Sequence, residues 1–194
     1  MDNKKIVADL VHEIYSVSNN LMTELLKIVH FESIPKNQIF INENKRNESE
    51  YFILSGICRS YLINLDGEDI TLSFFQDKSI LTPNVARTLK GFSILNHQAL
   101  TSLEVGIFNA DKFVDLTRKY PEFRNFANIV LQNELILKVN KEISNASLPA
   151  KERLLEFRKQ YKHLENIIPH PYIASYLGIT NISLSRIRGD LANS

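Results

Sequence analysis

The sequence predicts an α+β protein: an N-terminal jelly-roll barrel (a double-stranded β-helix), then a long helix, then a small domain built on two short helices. Three observations lead there. Between Pro35 and Phe108 the chain breaks into short β-rich runs separated by turn residues. Phe123–Ser144 contains neither Gly nor Pro and is the longest uninterrupted helical candidate. His170–Ile187 holds two short apolar helical patterns on either side of Gly178.

In chain order, Ile6, Leu10 and Ile14 and then Leu21, Leu25, Leu26 and Val29 have helical spacing. Ser18-Asn19-Asn20 divides them into two helices. The β-rich runs are Gln38–Ile41, Tyr51–Leu54, Ile57–Leu65, Asp69–Phe75 and Ala99–Phe108. Turns are expected at Ser55-Gly56 and at Asp66-Gly67, the latter a two-residue hairpin turn with both residues at positive φ. Several short strands in this span indicate a small closed barrel. Pro149 suits the first turn of a further helix carrying Leu154, Phe157, Tyr161 and Leu164 on one face.

Bulk properties exclude several classes. The chain has 194 residues, 44% hydrophobic and 23% charged, with a formal net charge of +1. That is ordinary for a globular protein. One cysteine, Cys58, rules out an intramolecular disulfide framework, fits a reducing cytoplasm, and cannot hold a four-thiolate iron–sulfur cluster. No apolar stretch approaches the ~20 residues needed to span a bilayer, and Asp2, Lys4, Lys5 and Asp9 interrupt any signal-peptide core at the start. A cytoplasmic protein with no membrane partner is expected. The histidines at 12, 30, 97, 163 and 170 fall at no metal-ligand spacing, so no metal and no other cofactor is expected. Cys58 sits beside Arg59, which would lower a thiol pKa, but strand alternation favours a buried, inert thiol. No catalytic constellation is legible, and the chain reads as a non-enzyme.

The strongest signal is H-P-Y-I-A-S-Y-L-G-I-T-N-I-S-L-S-R-I, His170 to Ile187. Two helices that cross steeply need a small residue at the crossing and a Gly where the chain turns left-handed, which Ala174 and Gly178 supply. Ile173, Leu177, Ile179, Leu184 and Ile187 are in register for a shared core, Pro171 suits the first turn, and Thr180 is a good N-cap. The second helix leaves Asn181, Ile182, Ser185 and Arg186 on its outer face, from which such a helix reaches base edges in double-stranded DNA. Asn suits adenine, Arg suits guanine, and Ile182 can meet a thymine methyl. Arg188 lies off that face and is expected on phosphate. Thr180 and Ser183 complete the expected DNA-binding set. An αα-hairpin with no DNA role shares the broad pattern but not all of these constraints. Charge agrees in direction: residues 149–194 hold seven Lys/Arg against four Asp/Glu, while the remainder has an acidic surplus of two.

The segment Y-I-A-S-Y-L-G-I-T-N-I-S-L-S-R-I-R, together with Y-F-I-L-S-G-I-C-R-S-Y-L-I-N-L-D-G-E-D-I-T at Tyr51–Thr71, resembles the Crp/Fnr family of bacterial transcription regulators. The resemblance covers about residues 20–190. It implies a cyclic-nucleotide-binding-like sensor barrel with N-terminal helices (1–120), a dimerisation helix (121–146) and a winged helix-turn-helix DNA-binding domain (147–194). Few residues follow the second helix of the motif, so a wing is expected to be absent or truncated. Ile182 replaces a Glu common in relatives, which changes the expected operator.

Relatives that bind cyclic AMP hold its phosphate with a Gly-Glu pair and an Arg-Ser/Thr-Ala turn. Here Ser93-Ile94-Leu95 stands at the place of the turn, and Gly-Glu is missing from Phe74–Thr82. Arg87 and Lys90 are the nearest cations and the candidates for an effector anion. The effector itself is unknown. For dimerisation, Phe126, Val130, Asn133, Leu137 and Asn140 form a heptad-like seam, the two Asn setting register, while the wide apolar face with Ile129, Ile136 and Ile143 beside the seam also allows a helix that packs only on its own barrel. The reading is therefore a homodimeric regulator on an inverted repeat, with RNA polymerase and a small-molecule effector as further candidate partners. Two alternatives stay open: an effector-independent DNA-binding protein with a degenerate barrel, and a small-molecule-binding barrel whose C-terminal helices mediate protein contacts.

Overall fold

The computed structural model describes residues 2–193. Two helices lead, α1 (Asn3–Ile14) and α2 (Asn19–Ile28). The Asp2 carboxylate caps α1 by accepting from the Lys4 and Lys5 amides. Strands β1 (His30–Ile34), β2 (Ile39–Ile41), β3 (Ser49–Ser55), β4 (Cys58–Ile63), β5 (Asp69–Phe75) and β6 (Ser79–Ile80) follow. Next come a one-turn helix α3 (Asn84–Arg87), the small hairpin β7 (Thr88–Leu89) and β8 (Phe92–Ser93), then β9 (Asn96–Ala99) and β10 (Leu103–Asn109). Helices α4 (Ala110–Lys119), α5 (Pro121–Ser147), α6 (Ala150–Gln160), α7 (His170–Tyr176) and α8 (Asn181–Ala192) complete the chain, with a 3-10 turn at Leu164–Asn166.

The strands form two four-stranded sheets, ordered β1-β10-β3-β6 and β2-β9-β4-β5. This is the expected mixed class with a jelly-roll barrel. By contact density the chain divides into two units: residues to Ser60 with Phe74–Leu135, and Tyr61–Ser73 with residues from Ile136 onward. The first unit has two cores. Inside the barrel, Ile34, Ile41, Ile53, Cys58, Leu81, Ala99, Leu103 and Val105 are buried together. On its outer side, Val7, Leu10, Val11 and Leu25 of the leading helices meet Phe52, Phe108, Phe123 and Phe126. Phe52 and Phe108 stack at 4.9 Å. Cys58 is fully buried and burial pushes its thiol up, as the inert reading requires.

Gly56 is needed for both shape and space. Its φ is +95°, and a Cβ there would lie 2.2 Å from the Ser102 carbonyl oxygen. The Asp66-Gly67 turn differs from expectation. Only Gly67 has positive φ (+79°), and the Asn64 amide bonds Glu68 O, closing a three-residue loop. The Asn64 side chain accepts from the Asp66 and Glu68 amides, which stabilises this longer turn over the two-residue one. The expected single run Ala99–Phe108 is two strands, because the chain bends between β9 and β10 where the Leu100 amide bonds Ile57 O.

Candidate nucleic-acid interface

In the second unit, Leu154, Phe157 and Tyr161 of α6 are buried, as are Leu164, Ile168, Ile173, Ala174, Leu177, Leu184 and Ile187. The connection from α7 to α8 is a Schellman closure. The Ile179 amide reaches back to Ala174 O and the Gly178 amide to Ser175 O. Gly178 holds φ at +66°, with open space around it, so conformation alone demands glycine there. Thr180 then caps α8, its Oγ1 accepting from the Ser183 amide at 3.2 Å. Leu184 and Ile187 turn inward, which rotates Asn181, Ile182, Ser185 and Arg186 outward. Ile182 is 84% exposed, an unusual state for an isoleucine on a packed helix.

The two arginines of α8 differ. Arg186 is exposed and makes no ion pair among the described residues. Arg188 does not point to solvent as expected: its Nε donates to Glu165 Oε1 at 2.6 Å and its Nη1 to His170 Nδ1 at 3.1 Å. Being four residues beyond Leu184 and one beyond Ile187, it lies at the edge of the packed face, within reach of the 3-10 turn. Glu165 is the residue that sequence reasoning missed. It also accepts from Arg158 Nε at 2.6 Å and Nη2 at 3.0 Å. The hydrogen bonds and charge of Arg158 and then Arg188 hold its carboxyl below the usual range. Its one sequence signal is that it is the sole acid between Lys162 and Gly189.

Elsewhere in this unit, the hairpin residues before Phe74 meet α5 and α7. The Thr71 amide donates to Ser175 Oγ at 3.2 Å, and Lys141 Nζ donates to Leu72 O at 2.7 Å. The same ammonium lies 3.6 Å from the Tyr176 ring centroid. Burial, with Lys138 nearby, pushes Lys141 down to about 7.

The effector candidates separate as well. Arg87 is fully buried and already used. Its Nε donates to Thr82 O at 2.8 Å, its Nη1 to Asn47 Oδ1 at 2.7 Å, and its Nη2 to Ser49 O. Both Glu50 carboxylate oxygens take the Asn84 amide at 3.0 Å at the start of α3. Burial raises this carboxyl to about 7 against the pull of that amide and of Arg87. Arg87 is thus tied to the barrel's own acceptors, where the sequence offers it to an effector anion. Lys90 stands exposed in the β7–β8 turn at φ +53°. With Arg87 engaged at this place, cyclic AMP is expected to bind no more tightly than millimolar in a calorimetric titration. Micromolar binding would show that α3 rearranges around the phosphate.

The seam on α5 needs correction too. Phe126 is 3% exposed and part of the first unit's own core, and Val130 packs on that core. Glu134, on the same face, accepts from Thr82 Oγ1 at 2.8 Å. Asn133, Leu137 and Asn140 are exposed, but they continue the face that Phe126 and Val130 begin. The rest of the helix surface carries Leu131, Leu135, Ile136, Val139 and Ile143, all exposed, with Ile136 and Ile143 about 100° round from Leu137. Ile129, Ile136 and Ile143 are seven apart there, with Val139 between.

Comparison with known proteins agrees with this architecture. Regulatory protein HlyX of Actinobacillus pleuropneumoniae is 25% identical over 182 residues, covering 92% of this chain and 71% of HlyX. FixK2 from Bradyrhizobium japonicum superposes with a TM-score of 0.73 at 19% identity, over 86% of this chain and 85% of that one. A Crp/Fnr-family transcriptional regulator from Eubacterium rectale gives 0.71 at 16% identity, over 88% of this chain and 82% of that one. The chain shares its fold with these proteins. No family model matches it. HlyX is a regulatory protein, and the Eubacterium rectale protein is a transcriptional regulator. Among the described residues no helix is long and apolar enough to cross a membrane.

Proposed function

We propose that this protein is a sequence-specific DNA-binding transcription regulator of the Crp/Fnr type whose recognition helix is α8. The observation that carries this reading is the outer face of α8. Asn181, Ile182, Ser185 and Arg186 stand exposed on a helix whose inner face is locked into a core, and Arg186 makes no ion pair among the described residues. A solvent-exposed isoleucine between an amide and a guanidinium is costly as bare surface and suits a thymine methyl flanked by hydrogen-bonding base edges. Thr180 and Ser183 sit at the start of α8, where backbone amides and hydroxyls meet phosphate.

The protein acts as a parallel homodimer through the outer stripe of α5, Ile129 to Ile143, on an inverted repeat in the cytoplasm, with RNA polymerase a further partner. The barrel, within 1–120, is the sensor; 121–146 is the dimerisation helix and 147–194 the DNA-binding domain. The signal is something other than cyclic AMP. A second reading, a regulator with no effector, is favoured by the internal use of Arg87 and Glu50, since the barrel satisfies its own polar groups. Both readings require DNA binding, and its salt dependence tests it: log K should fall linearly with log salt. Affinity for duplex DNA that is absent or insensitive to salt would contradict both and leave the C-terminal helices as a protein-contact surface.

A further inference from the structure

We propose that Glu165 is a positioning residue that sets the specificity of DNA reading by fixing α8 through Arg188, and that it lowers affinity for all DNA by withholding Arg158 and Arg188 from the DNA backbone. The inference rests on the reading of α8 as the recognition helix.

Glu165 lies in the 3-10 turn between α6 and α7, and its side chain is 11% exposed. The turn is itself held: Leu164 is fully buried, and the Ile167 and Ile168 amides both bond Leu164 O. One carboxylate therefore receives Arg158 from α6 and Arg188 from α8, while Arg188 continues to His170 at the start of α7. An arginine can only donate, so His170 Nδ1 accepts, with the ring proton on Nε2. All three helices of the domain meet at this one node.

Its first consequence is geometric. Leu184 and Ile187 fix which side of α8 faces inward, but apolar packing leaves a helix some freedom to roll and slide. The ion pair at Arg188, two residues beyond Arg186, removes that freedom. A shift of about 1 Å in the Arg186 guanidinium is enough to spoil bidentate geometry. The second consequence is electrostatic. The Arg158 and Arg188 side chains are 36% and 33% exposed and line a cleft of about 320 Å³ with Tyr161, His163 and Asn166. Without Glu165 these guanidiniums would be available to any phosphate, which raises affinity for all DNA alike. The first consequence lowers the ratio of cognate to non-cognate affinity, and the second lifts both affinities together and leaves the ratio to the first.

The experiment measures dissociation constants of the full chain for a duplex selected from random DNA by the wild type, and for a scrambled duplex of equal composition. For Glu165→Gln the cognate duplex should bind more weakly and the scrambled one more tightly. The ratio should fall by about tenfold or more, and the salt slope on scrambled DNA should steepen by up to about two phosphate contacts. Arg188→Gln, which keeps the Arg158–Glu165 pair, should weaken cognate binding without tightening scrambled binding, and it serves if Glu165→Gln does not fold. An unchanged ratio in Glu165→Gln, both affinities falling together, or unchanged cognate affinity in Arg188→Gln would overturn the proposal. Arg186→Ala separates the two failures. If it collapses the ratio while Glu165→Gln does not, Glu165 alone is misread. If no duplex is selected, or Arg186→Ala leaves the ratio intact, the reading of α8 fails with it.

Discussion

Ile136→Glu is expected to convert the protein from a dimer to a monomer at micromolar concentration, whereas Leu137→Glu is expected to leave the mass unchanged. The two positions are adjacent, both about half exposed in one chain, and differ by about 100° of rotation around α5. Ile136 is the middle of three isoleucines seven residues apart, so in a parallel pair it faces its own copy. Replacing it loses about 1.5–3 kcal/mol of apolar burial per copy and sets two carboxylates against each other across the two-fold axis. Together these are worth several kcal/mol, or about a thousandfold or more in the dimer constant. Leu137 continues the face on which Phe126 and Val130 meet the chain's own core. Light scattering decides between them. A dimeric mass for Ile136→Glu with a monomeric one for Leu137→Glu would return the seam to the face that the sequence suggested.

Arg186→Ala is expected to lower affinity for the selected DNA by about 1–3 kcal/mol per half-site and to relax preference at one base position. In a two-fold dimer both half-sites lose the contact, so the total loss is roughly thirtyfold at the low end. The change removes nothing from the fold, since Arg186 is exposed and makes no ion pair among the described residues. Thermal melting should therefore be unaltered while binding falls. Competition with half-site variants reads the relaxed position directly. A uniform loss across all sequences would assign Arg186 to phosphate, leaving the outer face of α8 without its guanine contact.

Much of the architecture was legible because local chemistry and tertiary demand coincide. The Gly178 turn, the Thr180 cap and the inward Leu184 and Ile187 each follow from a constraint that acts within a few residues, so the spacing in sequence carried them. The seam on α5 did not, because that helix is apolar on two faces about 100° apart. Periodicity shows that Phe126 and Val130 share a side, but not whether that side meets a barrel or a second copy. Arg87 and Arg188 were misjudged for a related reason. Both look like solvated cations in sequence, and both are tied by partners 5 to 40 residues away: Thr82, Ser49 and Asn47 for Arg87, Glu165 and His170 for Arg188. Glu165 has no motif at all, since its distances of seven residues from Arg158 and 23 from Arg188 match no local rule. The short elements β6, β7, β8 and α3 were invisible because two to four residues are too few to show a period.

The most direct test of the central claim is selection of binding sites from a random DNA pool with the purified full chain. The expected outcome is an enriched inverted repeat with half-site centres about 10 base pairs apart, placing two copies of α8 in successive major grooves about 34 Å from each other. Each half-site should contain a guanine whose preference disappears with Arg186→Ala. Failure to enrich any sequence, at a salt concentration where the protein is folded and binds DNA at all, would contradict the claim that α8 reads bases.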